Sequence, residues 1–492
     1  MRRTGILLLL VLTACTSTAP AGTSPGEGMT TSSPEARATL PAFTPCTEEK
    51  LTGLLCASIR VPLDYDDPGG EKIDVGVAML RSKKSPSDGM LFTNPGGPGF
   101  SGREFLAQSG NSFEELRATF DLVAIDPRGT SGTLHVKCGF DMARVLGPDI
   151  TPDSAEDFSK LVDADKEYSR TCLERNNGNL EHVSTRESAM DMRSVADAFG
   201  IKEMNYLGFS YGSELGVMYA SLYPERVGRF VLDGASDPRK KLLDRSLSQG
   251  LGFERTLGDF FNWCDARSCT TDKAEASFKA AADMVESNEV SVGTATDVLT
   301  SGMFYLGTAT ALYNAQTYPV LATAINEALS GSGSKFAELF AAYANKQDDG
   351  TYGSELDALR AVLSRDDKSP TVEEQSIAAQ EMKKLLPNFW PLFAPTAPHE
   401  DPWPQYKIQE RPPLTNMDGK VVFVAATLDP ATTYEDTVNL ARDMNSAVIT
   451  RVGATHTSFG ASKCVRDAVI SVFAKELQLL STTKPVVCGQ GE

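Results

Sequence analysis

Gly208-Phe209-Ser210-Tyr211-Gly212 sets one serine between two glycines, a pattern suited to acyl transfer when a base and an oxyanion site reach the hydroxyl. A serine hydroxyl is a weak nucleophile near neutral pH. It needs a histidine within hydrogen-bond reach and a carboxylate to orient that histidine. The chain has 4 histidines. His135 and His182 sit in polar surroundings near cysteines and His399 in a proline-rich stretch, so these three read as surface or structural residues. His456 lies in Gly453-Ala454-Thr455-His456-Thr457, after a strand-like run, where open α/β sheets place their chemistry. Asp429, in Thr427-Leu428-Asp429-Pro430, occupies the loop after the preceding strand and is the expected orienting acid. Asp436 and Asp443, on the helix that follows, are the alternatives. His456 would take the Ser210 proton while Asp429 holds the imidazole tautomer and stabilises its cation.

An oxyanion needs two donors. One is the backbone N–H of Tyr211, directly after the nucleophile. The other belongs to the loop Asn94-Pro95-Gly96-Gly97-Pro98-Gly99, with Gly97 as the first choice and Gly96 beside it.

These residues must be held by particular elements. Residues 203–207 read as a short buried strand and 213–223 as a helix, so Ser210 sits on a strand-to-helix turn where side chains at Gly208 and Gly212 would clash. Residues 90–93 and 120–125 are buried-strand candidates, each ending in a glycine-bearing loop, and 59–63 and 73–80 are strands, the second alternating as if half exposed. A helical segment is expected near 101–117, and Ser184-Thr185-Arg186-Glu187 is a capping box opening a helix to Ala198. After the strand 229–234 the pattern turns helical, with helices expected at 272–287, 317–328, 336–344 and 373–386. Alternation then resumes, with strands at 421–426 and 447–452 and helices at 432–444 and 462–480. Strands alternating with helices predict a mostly parallel central sheet, interrupted by an inserted helical domain whose core the three tryptophans, Trp263, Trp390 and Trp403, would fill.

The 492 residues allow one large domain with an insertion or two domains, and 41% hydrophobic composition is that of a globular chain. A net charge of −18 excludes nucleic acid and an anionic membrane surface as main partners. Arg2 and Arg3 precede an apolar run too short to span a bilayer, which reads as a signal-peptide core. Leu12-Thr13-Ala14-Cys15 resembles a bacterial lipobox, with Cys15 as the lipid-modified residue; ordinary secretion is the alternative. The other cysteines, Cys46, Cys56, Cys138, Cys172, Cys264, Cys269, Cys464 and Cys488, form an even set suited to disulfides in an oxidising compartment. Sequence leaves the connectivity open. Because they cluster in twos, neighbour pairing is the expectation. No metal or other cofactor is called for, and nothing sets an oligomeric state.

Taken together, the Asn94 to Gly99 motif, Asp126-Pro127-Arg128-Gly129, the Ser210 motif, Val231-Leu232-Asp233-Gly234, Asp429 and His456 resemble the secreted tripeptidyl and prolyl aminopeptidase branch of the α/β-hydrolases. Asn94 stands where proline iminopeptidases usually carry histidine, which is similar to the exported branch, while Gly453-Ala454-Thr455-His456 departs from the commoner Gly-x-Gly-His. The resemblance implies an α/β-hydrolase core (46–235 and 414–492) with a helical cap (236–413), and the residues before it read as a signal peptide (1–15) and, being rich in Ser, Thr, Pro, Ala and Gly, a flexible linker (16–45). The resemblance also implies oligopeptide substrates shortened from a free amino terminus through an acyl-enzyme, and the lipobox at Cys15 would anchor the protein through lipid outside the bacterial cytoplasm. The cap would then need a carboxylate for the substrate ammonium. Glu214 is near the nucleophile, but its helix position suits a solvated or paired role. An esterase or lipase on the same triad is the alternative, since the fold does not choose the acyl donor, and a binding lipoprotein without turnover is a third reading.

Overall fold

The computed structural model describes residues 41–176, 178–293, 297–408, 410–474 and 485–489. The signal peptide, Cys15 and most of the linker lie outside them. The described residues form a sheet of ten strands: β1 (Thr44–Pro45), β2 (Leu55–Pro62), β3 (Lys72–Leu80), β4 (Met90–Asn94), β5 (Asp121–Ile125), β6 (Met204–Phe209), β7 (Val227–Asp233), β8 (Val421–Leu428), β9 (Ala447–Ala454) and β10 (Val486–Cys488). Their spatial order is β1-β2-β3-β5-β4-β6-β7-β8-β9-β10. β1, β2 and β3 pair antiparallel, as does β3 with β5, and every pair from β5 to β10 is parallel.

Buried parallel strands need apolar side chains on both faces. Phe92, Val123, Tyr206, Phe230 and Phe423 point to one core, and Leu91, Leu122, Leu207, Val231 and Val422 to the other. β3 alternates only over its first half. Once it enters between β2 and β5 its last four residues are all buried, because both faces are covered there. The expected helix 101–117 is broken into Gly102–Gln108, a 3-10 turn and Glu114–Arg117. The 22-residue helix Ala155–Asn176, with its narrow apolar side, was not expected from the sequence.

Chain order reverses between β4 and β6: from β4 the chain moves outward to β5, then returns to place β6 on β4's other side. Loops at such a switch point diverge and leave a crevice at the strands' carboxyl ends. The register puts Asn94 beside Gly208, Phe209 beside Asp233, and Leu428 beside Ala454, so the loops carrying Ser210, Asp429 and His456 leave the sheet at one edge.

Between β7 and β8 the named elements are helical, including Leu242–Asp265, Ser301–Leu312 and Glu355–Asp366 besides those expected. Phe260, Phe278, Phe304, Phe336 and Phe389 make a separate aromatic core there, reached from the sheet by Ala454. The tryptophans divide differently from the expectation. Trp263 stacks on Phe260 in the helical core and Trp390 packs in a small cluster with Met382 and Leu386. Trp403 is 2% exposed within the sheet's own core beside Tyr168, because helix Glu355–Asp366 and the proline-rich segment after residue 394 pack on the sheet side, through Ala358, Ala361 and Val362. Disulfides join Cys46 to Cys56, Cys138 to Cys172, Cys264 to Cys269 and Cys464 to Cys488.

Candidate active site

Ser210 follows β6 directly and stands at the N-cap of the helix Tyr211–Leu222 with φ 53° and ψ −127°. A non-glycine residue there is strained, and the surroundings must enforce it. They do so with backbone contacts: Ser210 N–H donates to the Asp233 carbonyl at 2.9 Å, and Ser213 Oγ bonds both Gly208 and Asp233 carbonyls at 3.0 and 3.1 Å. A Cβ on Gly212 would stand 2.6 Å from the Asn94 carbonyl oxygen, so the elbow closes only on glycine.

The imidazole of His456 spans the gap between serine and acid. Its Nε2 lies 2.8 Å from Ser210 Oγ and its Nδ1 2.9 Å from Asp429 Oδ1. Asp429 is 2% exposed and is bonded by the N–H groups of Ala431 and Thr432 and by Thr432 Oγ1, at 2.9, 2.8 and 3.0 Å. Burial disfavours the imidazolium, but the charge and hydrogen bond of Asp429, with the charge of Asp233, outweigh it and hold the His456 pKa above its ordinary value. Asp436 and Asp443 are turned elsewhere, the first to Lys240 and Ser248, the second to Arg239 and Arg442.

The two glycine candidates for the oxyanion loop differ. Gly96 N–H is taken up by Asn94 Oδ1 at 2.9 Å, whereas Gly97 N–H has no hydrogen bond among the described residues and Gly97 lines the cleft beside Ser210. Gly96, at φ 100°, instead lets the loop lie against the elbow: a Cβ there would meet Phe209 O at 2.5 Å and Ser210 Cβ at 2.9 Å. Tyr211 N–H opens the nucleophile helix, whose first-turn amides have no intrahelical acceptor.

The other sequence candidates lie apart. His135 Nε2 bonds Ser354 Oγ, and burial first, then Lys137, pushes its pKa down to about 4. His182 contacts Glu181 and Glu187, and His399 contacts Asp165. Glu214 is buried, with both oxygens held by Arg245 at 2.6 and 3.0 Å and one by Ser236. Arg128 of the Asp126-Pro127-Arg128-Gly129 motif is a buried tie, forking onto Asp191 at 2.7 and 2.9 Å and bonding the carbonyls of Pro62, Leu63 and His182.

A cleft of about 660 Å³ opens over Ser210 between sheet and cap, walled by Phe100, Phe105, Phe113, Tyr313 and Tyr343, and His456 is its sole titratable lining side chain apart from the tyrosines. Tyr313 is a cap residue that the sequence did not single out. Its carbonyl accepts the His456 N–H at 2.7 Å and its ring meets the imidazole edge-on at 5.3 Å. A second cavity of about 700 Å³ shares Pro95, Phe100, Phe105 and Tyr343 with the cleft. Three acidic residues line it. Glu104 is paired with Lys50, and Asp357 is bonded by Cys138 N–H and Tyr168 OH. Glu355 has neither an ion pair nor a hydrogen-bond partner for its buried Oε2 among the described residues.

Comparison with known proteins bears on the fold and the family. The family described as alpha/beta hydrolase fold matches residues 91–282, and that described as TAP-like protein matches residues 396–476. Carboxylesterase B of Mycobacterium tuberculosis is 31% identical over 508 aligned positions, covering 95% of this chain and 94% of the relative. Serine protease Hip1 of the same organism is 26% identical over 85% of this chain and 84% of its own length. Tripeptidyl aminopeptidase of Streptomyces lividans is 33% identical over 43% of this chain and 41% of its own. The chain belongs to the TAP-like family of α/β-hydrolases and is an enzyme, a serine hydrolase.

Proposed function

We propose that the enzyme is a serine exopeptidase that shortens oligopeptides from a free amino terminus, with Ser210, His456 and Asp429 as its catalytic residues. The observation that carries the reading is the continuous hydrogen-bonded line Asp429–His456–Ser210 at the floor of a capped cleft. His456 Nε2 accepts the hydroxyl proton as Ser210 Oγ attacks the scissile carbonyl. The oxyanion takes hydrogen bonds from Tyr211 and Gly97 N–H, each worth roughly 3 kcal/mol in such a site. His456 then protonates the leaving amine, and a water activated by the same imidazole releases the acyl group.

Amino-terminal selectivity is assigned to Glu355. An ammonium arriving through the second cavity would meet a carboxylate whose Oε2 has no hydrogen-bond partner among the described residues, a charge-assisted contact unavailable to an acetylated peptide. The test compares a tripeptide anilide bearing a free amino terminus with its acetylated twin, using the soluble form from Thr16, with Ser210→Ala as control and Glu355→Gln as probe. Cleavage of the free peptide alone, abolished in Ser210→Ala and with KM raised in Glu355→Gln, is the expected result. Equal cleavage of both would overturn amino-terminal selectivity. A carboxylesterase acting through the same triad is the second reading, supported by the aromatic, uncharged walls around Ser210; it predicts that short acyl esters outrun every peptide.

Export and lipid attachment at Cys15 complete the proposal. Four disulfides suit an oxidising compartment. Labelled palmitate should enter the wild type and not Cys15→Ser, which should leave the membrane fraction; equal labelling would remove the anchor.

A further inference from the structure

Val231-Leu232-Asp233-Gly234 has no part in the chemistry assigned so far, yet Asp233 bonds both the Ser210 elbow and the loop after His456. It ends β7 between Phe209 and Val424 and is 1% exposed. Its carbonyl receives the N–H of Ser210 and the hydroxyl of Ser213, which fixes the strained elbow. Its carboxylate reaches the loop after His456: Ser458 N–H lies 2.9 and 2.8 Å from the two oxygens and Phe459 N–H 2.8 Å from Oδ2. A Cβ on Gly234 next to it would stand 2.9 Å from Thr432 Oγ1 and 3.3 Å from Asp429 Oδ2.

The charge on this carboxylate is met, among the described residues, by backbone N–H groups alone. Among the described residues no lysine or arginine is paired with Asp233. The titratable groups whose fields reach it are Asp429, on the loop after β8, and His456, on the loop after β9. Its carboxyl is raised to about 7, chiefly by burial; the N–H groups of Phe459 and Ser458 pull against this, Asp429 adds to it and His456 opposes it. Both oxygens accept backbone N–H groups, which favours the ionised carboxylate against the effect of burial. A buried charge of this kind is costly unless a cation forms beside it. The cation that forms here is the His456 imidazolium, in each transition state.

We propose that Asp233 is a positioning residue for catalysis: its backbone holds the Ser210 elbow, and its carboxylate holds the His456 loop and gives the imidazolium a second counter-charge behind Asp429. This rests on Ser210 and His456 acting as nucleophile and base, but not on which acyl donor is cleaved. The test therefore uses phosphonylation of Ser210 by a fluorophosphonate, followed against pH. Neutral His456 is the reactive form, so the rate falls as pH drops through its pKa. Removing a negative charge lowers that pKa, and in Asp233→Asn the acid limb should move to lower pH by about one unit, a tenfold change in imidazole basicity, with a slower plateau. Asp233→Ser, which keeps an acceptor oxygen for the loop without the charge, should move the limb the same way if the Asn variant does not fold. A merely structural role would slow the reaction and leave the limb in place, and that result overturns the proposal. With only 4 histidines in the chain, the imidazole nitrogens of His456 can be titrated directly by ¹⁵N NMR. An unmoved midpoint in the folded variant overturns the proposal equally, even if wild-type Ser210 proves unreactive and the peptidase reading fails.

Discussion

The N–H of His456 donates to the carbonyl of Tyr313 at 2.7 Å, so the base on the sheet is tied directly to the cap. Asn314 and Thr455 pair as an antiparallel bridge beside this bond, and the Tyr313 ring stands at 80° to the imidazole. The backbone bond survives any side chain at 313, but the ring does not. An aromatic edge contact is worth about 0.5–1.5 kcal/mol, so Tyr313→Ala should slow acylation of Ser210 by up to roughly tenfold. Fluorophosphonate kinetics at saturating pH measure this; an unchanged rate would show that the ring only walls the cleft.

Asp429 acts on His456 through a hydrogen bond and a charge. Burial alone would lower the imidazole pKa, but the two carboxylates raise it above the ordinary value of 6.5. The base must be neutral to act, so the acid limb of kcat/KM should lie above that pH. Asp429→Asn removes a negative charge, moves the limb downward and presents an amide that favours the wrong tautomer. The expected loss in kcat is roughly 10⁴-fold. A limb that stays in place would deny Asp429 its electrostatic part.

Gly96→Ala tests the fit of loop to elbow. The new Cβ would stand 2.5 Å from Phe209 O at a φ of 100°, so loop or elbow must move. Displacing the Gly97 donor in this way should lower kcat by about 10²–10³ with a smaller change in KM. The melting temperature, read alongside, separates this local effect from general unfolding.

How much of this could be read from the sequence depended on whether the signal was local. Ser210, Asp429 and His456 stand next to strand ends and glycine turns, where periodicity breaks, and so their loops were legible. The capping box at Ser184 and Glu187 is also local and forms as expected. Helix Leu242–Asp265 interleaves glycine, serine and charge with its apolar face, and Ser301–Leu312 is buried on nearly all sides, so neither gives a clean helical stripe. Tyr313 reaches the site only through its contacts with a loop far away in sequence, which no pattern around it announces. Asp233 lay within a quoted motif, but its role needs the loop of His456, over 200 positions later, to come to it.

His399, which the sequence suits to a surface or structural place, makes a contact that bears on stability. Its Nε2 lies 3.0 Å from Asp165, tying the proline-rich end of the cap to helix Ala155–Asn176. The hydrogen bond to Asp165 raises the His399 pKa above 6.5, against the opposing pull of partial burial. Burial would raise Asp165, but the hydrogen bond to His399 and the charge of Arg360 bring it below 3.8. A raised histidine contributes stability that is complete below its unfolded pKa and is lost as pH rises through the folded one. A lowered aspartate contributes stability that is present above its unfolded pKa and is lost as pH falls through the folded one. The pair is therefore at full strength between pH 3.8 and 6.5. Both side chains are about a fifth exposed, which keeps the effect within about 1 kcal/mol, or a shift of about 1–2 °C in Tm. Thermal unfolding of wild type and His399→Gln should differ most near pH 5 and converge above pH 8, whereas a gap that is the same at both would mean that the imidazole serves as a neutral hydrogen-bonding group and that the charge contributes nothing.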